Sequence, residues 1–412
     1  MNKFLSDRGK SFVKDMPPLM HAHFSTVDKL YDPEHNQDGY INMGTAETHL
    51  VNDEVTEIIM KIQREMTVKP SYIHYDYSHG IPEFRTAIAD YWQKLIFEND
   101  TDRRIKSENI VVGSGCSIAL EMLATMLGDP GDAILIPAPY YTGFEDDIYA
   151  RAGLLPIPVQ CGPKLNKNTF QEVIEEQKKK NVRVRAVLLS SPNNPVGTVY
   201  KPEELQNVID FCMEHDLDII SDEIYAQTIH DPNTKWVSMY SLVPDEYLDR
   251  VHVTSSFSKD FSLSGFRTGF VISFNKAMLK GMHVLSYYSN VSNHTQAVLT
   301  DLLKSPELPG IIQTSKEQLC NNQNMMSSML EEIGIQSEPA QGGIFLFANF
   351  GKFMKEKSFE EEFVLWERIF GELRINISPG QIFKAEEPGW FRVCYAHPAP
   401  VIEEACRRLR TL

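Results

Sequence analysis

Between about residues 109 and 273, short runs rich in β-branched residues and leucine alternate with longer stretches of helical periodicity. The runs at 109–112, 133–136, 154–159, 185–190, 217–221, 250–254 and 268–273 read as strands. Pro202-Glu203-Glu204 opens a stretch in which Leu205, Val208, Ile209 and Cys212 fall on one face, which predicts a helix over 202–215. Strand and helix repeating in this way predict an α/β fold with a mainly parallel seven-stranded sheet covered on both faces. A chain of 412 residues exceeds one small core. The expected division is an N-terminal segment over 1–50, a large domain over 51–279 and a smaller α+β domain over 280–412. In the smaller domain helical patterns at 277–304 and 315–333 precede strand-like runs at 343–350 and 390–396. Residues 1–50 are expected to pack with it.

Sheets of this kind bind ligands at the carboxyl ends of their strands. The polar clusters lie there: Gly113-Ser114-Gly115-Cys116-Ser117, Pro139-Tyr140-Tyr141, Ser191-Pro192-Asn193-Asn194-Pro195, Asp222-Glu223-Ile224-Tyr225 and Ser255 to Lys259. The run Ser256 to Arg267 sets one lysine among hydroxyls with an arginine eight residues on. A Schiff-base lysine needs a desolvated pocket, and a phosphate dianion needs hydroxyl, guanidinium and backbone N–H donors. Pyridoxal 5'-phosphate (PLP) needs both. Its ring nitrogen requires a carboxylate, for which Asp222 at the end of a buried run is placed, although an aspartate there also suits a helix cap. Tyr225 and Asn194 can donate to the O3' oxygen. The Gly113-Ser114-Gly115 turn and Ser117, at the start of a helix over 117–127, offer phosphate donors. Tyr141 either stacks on the pyridine or fills the core. Arg392, alternating with Phe391 and Val393, suits capture of a carboxylate unless it faces solvent. A dinucleotide site is the competing reading of Gly113-Ser114-Gly115, but it requires a glycine where Ile118 stands, and Asp132 precedes its strand instead of ending it.

Composition narrows the partners. Forty basic against 56 acidic residues give a net charge of −16, which disfavours nucleic acid and anionic lipid. The charged stretch 1–15 is no secretory signal and no later run suits a membrane span, so a soluble, cytoplasmic protein is expected. The six cysteines form no C-x-x-C pair, and His21-Ala22-His23 reads as a surface loop, so no metal is assigned.

The chain resembles the fold-type-I, PLP-dependent class I/II aminotransferases along nearly its whole length. Within them it is most similar to the 1-aminocyclopropane-1-carboxylate (ACC) synthase branch. The matching runs include Ile41-Asn42-Met43-Gly44-Thr45-Ala46-Glu47, Gly80-Ile81-Pro82-Glu83-Phe84-Arg85, Asn194-Pro195-Val196-Gly197-Thr198, Ser221-Asp222-Glu223-Ile224-Tyr225, Ser256-Phe257-Ser258-Lys259-Asp260 and Glu387-Pro388-Gly389-Trp390-Phe391-Arg392. The resemblance implies Lys259 as the Schiff-base lysine and proton shuttle, Asp222 on the pyridine nitrogen, Tyr225 and Asn194 on O3', and Tyr141 on the ring. It places Ser117, Ser256 and Arg267 on the phosphate, with Gly115 and Cys116 in the cofactor set. Arg392 falls on the substrate α-carboxylate, with Ala46, Glu47 and Asn194 beside the substrate. A homodimer is implied, with Tyr75 reaching the neighbouring subunit's phosphate. One departure stands out: plant ACC synthases carry a tyrosine where this chain has Ser78. Transamination between an amino acid and a 2-oxo acid is therefore expected. An ACC synthase-like lyase acting on S-adenosylmethionine or a Cβ–S lyase is the alternative. A non-catalytic effector-sensing module is remote, because residues 1–50 have no room for a DNA-binding domain and the catalytic set is complete.

Overall fold

The computed structural model describes residues 4–97, 103–161 and 164–412. Seven strands form the main sheet: β1 Ile110–Gly113, β2 Ala133–Ala138, β3 Leu155–Gln160, β4 Val184–Ser190, β5 Asp218–Asp222, β6 Val251–Ser256 and β7 Gly269–Ser273. Their spatial order is β1-β7-β6-β5-β4-β2-β3. The pairs β2·β3, β2·β4, β4·β5 and β5·β6 are parallel, and β7 runs antiparallel to both β6 and β1. Alternation along the strands splits the core in two. Ile134, Ile136, Leu188 and Ile220 pack under the helix Cys116–Leu127, whereas Leu135, Val187, Leu189 and Ile219 pack on the opposite face with Trp92 and Phe257.

The strands end within a residue or two of their expected positions. β1 starts one residue late because Asn109 closes a 3₁₀ turn, its amide bonded to the Ser273 carbonyl. β2 runs on to Ala138 by pairing with Gln160. The helix Pro202–His215 has the expected bounds: Glu204 reaches back to the Lys201 N–H, and Asp216 ends it in the left-handed region at φ 55°. The pattern at 277–304 is not one helix. It divides into Lys276–Leu285 and Asn293–Lys304, with Ser292 capping the second through the Thr295 N–H. The next helix starts earlier than expected, at Leu308, since Pro309 in its first turn needs no donor partner.

A second sheet of four antiparallel strands is ordered Ser378–Pro379, Trp390–Cys394, Phe345–Asn349, Gln336–Ser337. The N-terminal stretch is bonded to this part of the chain. Ile41–Asn42 pairs in parallel with Ile375–Asn376, the Cys394 N–H donates to the Met43 carbonyl, and Arg408 donates to the Gln37 and Gly39 carbonyls. Among the described residues no helix is long and apolar enough to cross a membrane.

Candidate active site

The carboxyl ends of β4, β5 and β6 lie side by side, with Ser190 opposite Asp222 and Asp222 opposite Thr254. Above them opens a cleft of about 580 Å³ lined by both sheets and by the N-terminal segment. Lys259, three residues past β6, enters from its floor and donates to the Ala46 carbonyl. Burial, followed by repulsion from Arg392, pushes its pKa down to about 8. An amine so poised loses its proton near neutrality, as a nucleophile or base must.

Asp222 closes β5. Its Oδ1 accepts from the Ile224 N–H at 3.3 Å and from Thr254 Oγ1 at 3.4 Å, with Cys116 Sγ at 3.6 Å. The Ile224 bond is a local turn contact, so the capping role and the site role coexist. Burial pushes this carboxyl up to about 7, since none of these neutral contacts repays the cost of its charge. A cationic N–H docking here would repay it.

The anion cradle differs in detail from the sequence reading. Ser114 N–H and Gly115 N–H are already bonded, to the Ser289 and Gly113 carbonyls. The donors left at the helix start are those of Cys116, Ser117 and Ile118, because no side chain caps this helix. Gly115 precedes them at φ 96°, and a Cβ there would come within 2.6 Å of Arg267 Nη2. The glycine therefore lets the guanidinium lie against the helix N-terminus. Arg267 is held by an Nη1 bond of 3.0 Å to the Ser264 carbonyl.

Arg392 projects from the second sheet into the same cleft. Its Nη1 donates to Asn194 Oδ1 at 3.0 Å, which leaves the Asn194 NH₂ as a donor; its Nη2 donates to the Gly44 carbonyl. The buried Nε has no partner. Phe383 and Phe345 lie against the guanidinium, 4.8 and 5.3 Å from its carbon to the ring centres. Tyr141 and the buried Tyr225 complete the walls, and burial pushes the Tyr141 phenol up to about 12.

Ten residues singled out from the sequence thus share one cleft: Lys259, Asp222, Tyr225, Asn194, Tyr141, Cys116, Ser117, Arg267, Ala46 and Arg392. Gly115 backs Arg267. Glu47 stands beside the cleft, bonded to Ser264 Oγ and 3.7 Å from His49 Nε2. Ser256 is not on the wall; it is fully buried and its Oγ accepts from the Ser258 N–H. Tyr75 is fully exposed and is not among the residues that line its own chain's cleft.

Asp147 and His23 are among the lining residues that the sequence reading missed. Asp147 lies against Ser117 because the short helix Gly143–Tyr149 packs on Cys116–Leu127. Burial pushes its carboxyl up to about 6 against a hydrogen bond from Ser117, and Oδ2 is buried without a partner. Only the tertiary contact puts it there. His23 sits in a helix, Pro18–Thr26, and not in a loop. Its Nδ1 lies 2.9 Å from Asn42 Nδ2 and 3.0 Å from Thr45 Oγ1.

Residues 39–409 match the family model for aminotransferase class I and II. The chain belongs to this family. It is 33% identical to a 1-aminocyclopropane-1-carboxylate synthase of Glycine max over 399 residues, covering 92% of this chain and 81% of that one. With 1-aminocyclopropane-1-carboxylate synthase 8 of Arabidopsis thaliana it shares 35% over 387 residues, covering 89% and 81%. Among solved structures, a double mutant of Thermus thermophilus aspartate aminotransferase superposes with a TM-score of 0.82 at 21% identity, over 99% of both chains. An aromatic aminotransferase from Pyrococcus horikoshii OT3 gives 0.78 at 23%, over 90% and 94%. These structures share the fold-type-I architecture with this protein. The family is PLP-dependent, and the residues present fit that cofactor. The uncapped helix start with Arg267 suits its phosphate, the buried Asp222 its ring nitrogen, and the depressed amine of Lys259 its aldehyde.

Proposed function

We propose that the protein is an aminotransferase, moving the amino group of an amino acid to a 2-oxo acid. The observation that carries this reading is the convergence of the near-neutral Lys259 amine and the Arg392 guanidinium on one cleft. PLP supplies the electron sink that makes the substrate Cα acidic. Arg392 would grip the α-carboxylate and so fix the orientation of the substrate at Cα. Asn194 braces Arg392 through its carbonyl oxygen and turns its NH₂ to the cofactor's O3', where Tyr225 donates as well. Lys259 Nζ would take the proton from the substrate Cα and hold it for the return transfer. Asp222 keeps the ring nitrogen protonated, and Ser117 and Arg267 hold the phosphate. The protein acts in the cytoplasm as a homodimer, in which the exposed Tyr75 reaches the neighbour's phosphate. The large domain, 51–279, carries the cofactor, and the small domain, 280–412, carries the carboxylate clamp.

ACC formation is the second reading, favoured by the 33–35% identity to ACC synthases. Against it stands Ser78. Its hydroxyl is 3.1 Å from Ser286 Oγ, and no aromatic ring occupies this position to orient a sulfonium substrate. Ring closure requires in-line geometry at a second carbon, where a misplacement of ~1 Å costs roughly a hundredfold. Assaying 2-oxo acid and ACC side by side tests the choice. Oxo acid release from at least one amino acid with little ACC from S-adenosylmethionine is expected. Rapid ACC release with no amino-group transfer to any 2-oxo acid overturns it.

A further inference from the structure

The proposed reaction needs a grip on the substrate side chain as well as on its carboxylate, and the cleft contains one. The helix Pro18–Thr26 lies along its rim. His23 fastens that helix to Asn42 and Thr45, and Thr45 adjoins Gly44, whose carbonyl accepts from Arg392. The rim is therefore positioned relative to the carboxylate clamp through a short bonded path. On the core side the helix buries Ala22 and Thr26. On the cleft side it presents Leu19 together with Met20 and Phe24, which are 50% and 58% exposed and one helical turn apart. Ile382 and Phe383 face the same cavity.

Charge points the same way. Among the described residues the lysine and arginine side chains lining the cleft are Lys259, Arg267 and Arg392, and each is engaged by the cofactor or the α-carboxylate in the reading above. The remaining lining groups that titrate include Asp146 and Asp147, which repel a second carboxylate. The segment 71–79, which a shared site would bring to the neighbouring cleft, holds no lysine or arginine either. We infer that the helix Pro18–Thr26 selects amino acids with an apolar side chain, docking it against Leu19, Met20 and Phe24, and that side-chain carboxylates are refused for want of a cation. The inference rests on the transamination reading, but its binding arm does not depend on which bond breaks.

In the holoenzyme, non-reacting carboxylates report the grip directly. 3-Phenylpropanoate and 4-methylpentanoate should inhibit competitively at concentrations at least tenfold below those of succinate and glutarate. In turnover, burial of a methylene is worth about fourfold, so leucine should exceed alanine in kcat/KM by about 50-fold. Phe24→Ala combined with Met20→Ala should lower kcat/KM for leucine about tenfold more than for alanine. Met20→Arg keeps a good helix former and should raise the aspartate-to-leucine ratio. Equal or tighter inhibition by the dicarboxylates, or equal losses for leucine and alanine in the double variant, overturns the selector. Tight 3-phenylpropanoate binding without oxo acid release from any amino acid would instead leave the selector standing and remove transamination.

Discussion

Asp222→Asn separates the cost of the site from its use. In the protein without cofactor burial holds the Asp222 carboxyl up at about 7, against an ordinary value of 3.8. A folded pKa above the unfolded one means that the native state binds the extra proton. The stabilisation is present below about pH 4 and is lost as pH rises towards 7. Three pKa units correspond to about 4 kcal/mol of penalty at pH 8. Asparagine has nearly the same shape and carries no charge to desolvate. With an unfolding entropy of about 2.1 cal/mol/K per residue over the chain, the cofactor-free variant should melt roughly 3–5 °C above cofactor-free wild type at pH 8. The gap should narrow steadily as pH is lowered towards 4. Glu223 and Asp260 are also pushed up by burial, but both proteins contain them, so their contributions cancel. With cofactor the sign reverses. Losing a charge-assisted bond of about 1.5–3 kcal/mol should weaken PLP by roughly ten- to a hundredfold and cut turnover with it. Paired thermal melts across pH and a PLP titration measure both sides. A cofactor-free variant that melts lower than wild type by the same amount at every pH would refute the argument, because Asp222 would then be a structural hydrogen-bonding residue alone.

Lys259→Ala should abolish turnover in a folded protein that still binds PLP without a covalent bond; wild-type rates would remove the lysine from the chemistry. Gly115→Ala places a methyl within 2.6 Å of Arg267 Nη2 at a φ of 96°, a strain of about 1–3 kcal/mol. PLP affinity should fall about tenfold while affinity for unphosphorylated pyridoxal changes little, and equal losses for the two would detach Gly115 from the phosphate. Tyr75→Phe should loosen PLP. Mixed with Lys259→Ala chains it should regain activity, since each hybrid dimer then has one site free of both changes; no gain on mixing counts against a shared site.

Much of the large sheet could be read from the chain because strands such as β1 and β2 are apolar on both faces and are closed by Gly113 and Pro139. Ile134 and Leu135 feed different cores yet are both wholly buried, so the run looks continuous. The site was legible where chemistry and position coincide, as at Asp222, which closes its strand, and Lys259, three residues past the end of the next. It was not legible where a contact depends on packing between elements. No local signal separates Asp147 from Asp146, yet one is half-buried against Ser117 and the other is exposed. The split at 286–292 escaped for a related reason. Ser286-Tyr287-Tyr288 continues the helical pattern, and the break is made by Ser292 capping the next helix. The cradle donors were misassigned because the Ser289 carbonyl, distant in sequence, takes the Ser114 N–H.

The antiparallel course of β7 beside β6 turns the chain back on itself at the cofactor end of the sheet. Lys259 and Arg267 therefore sit on one connection, 257–268, anchored at both ends by neighbouring strands. In the proposed reading a covalent hold on one end of the cofactor and an ionic hold on the other belong to the same short bridge of backbone. Loosening that bridge slackens both holds together, so retention of the cofactor becomes a reporter of order in a single local stretch. A nick there would empty the cleft while leaving the hydrogen-bonded sheet around it in place.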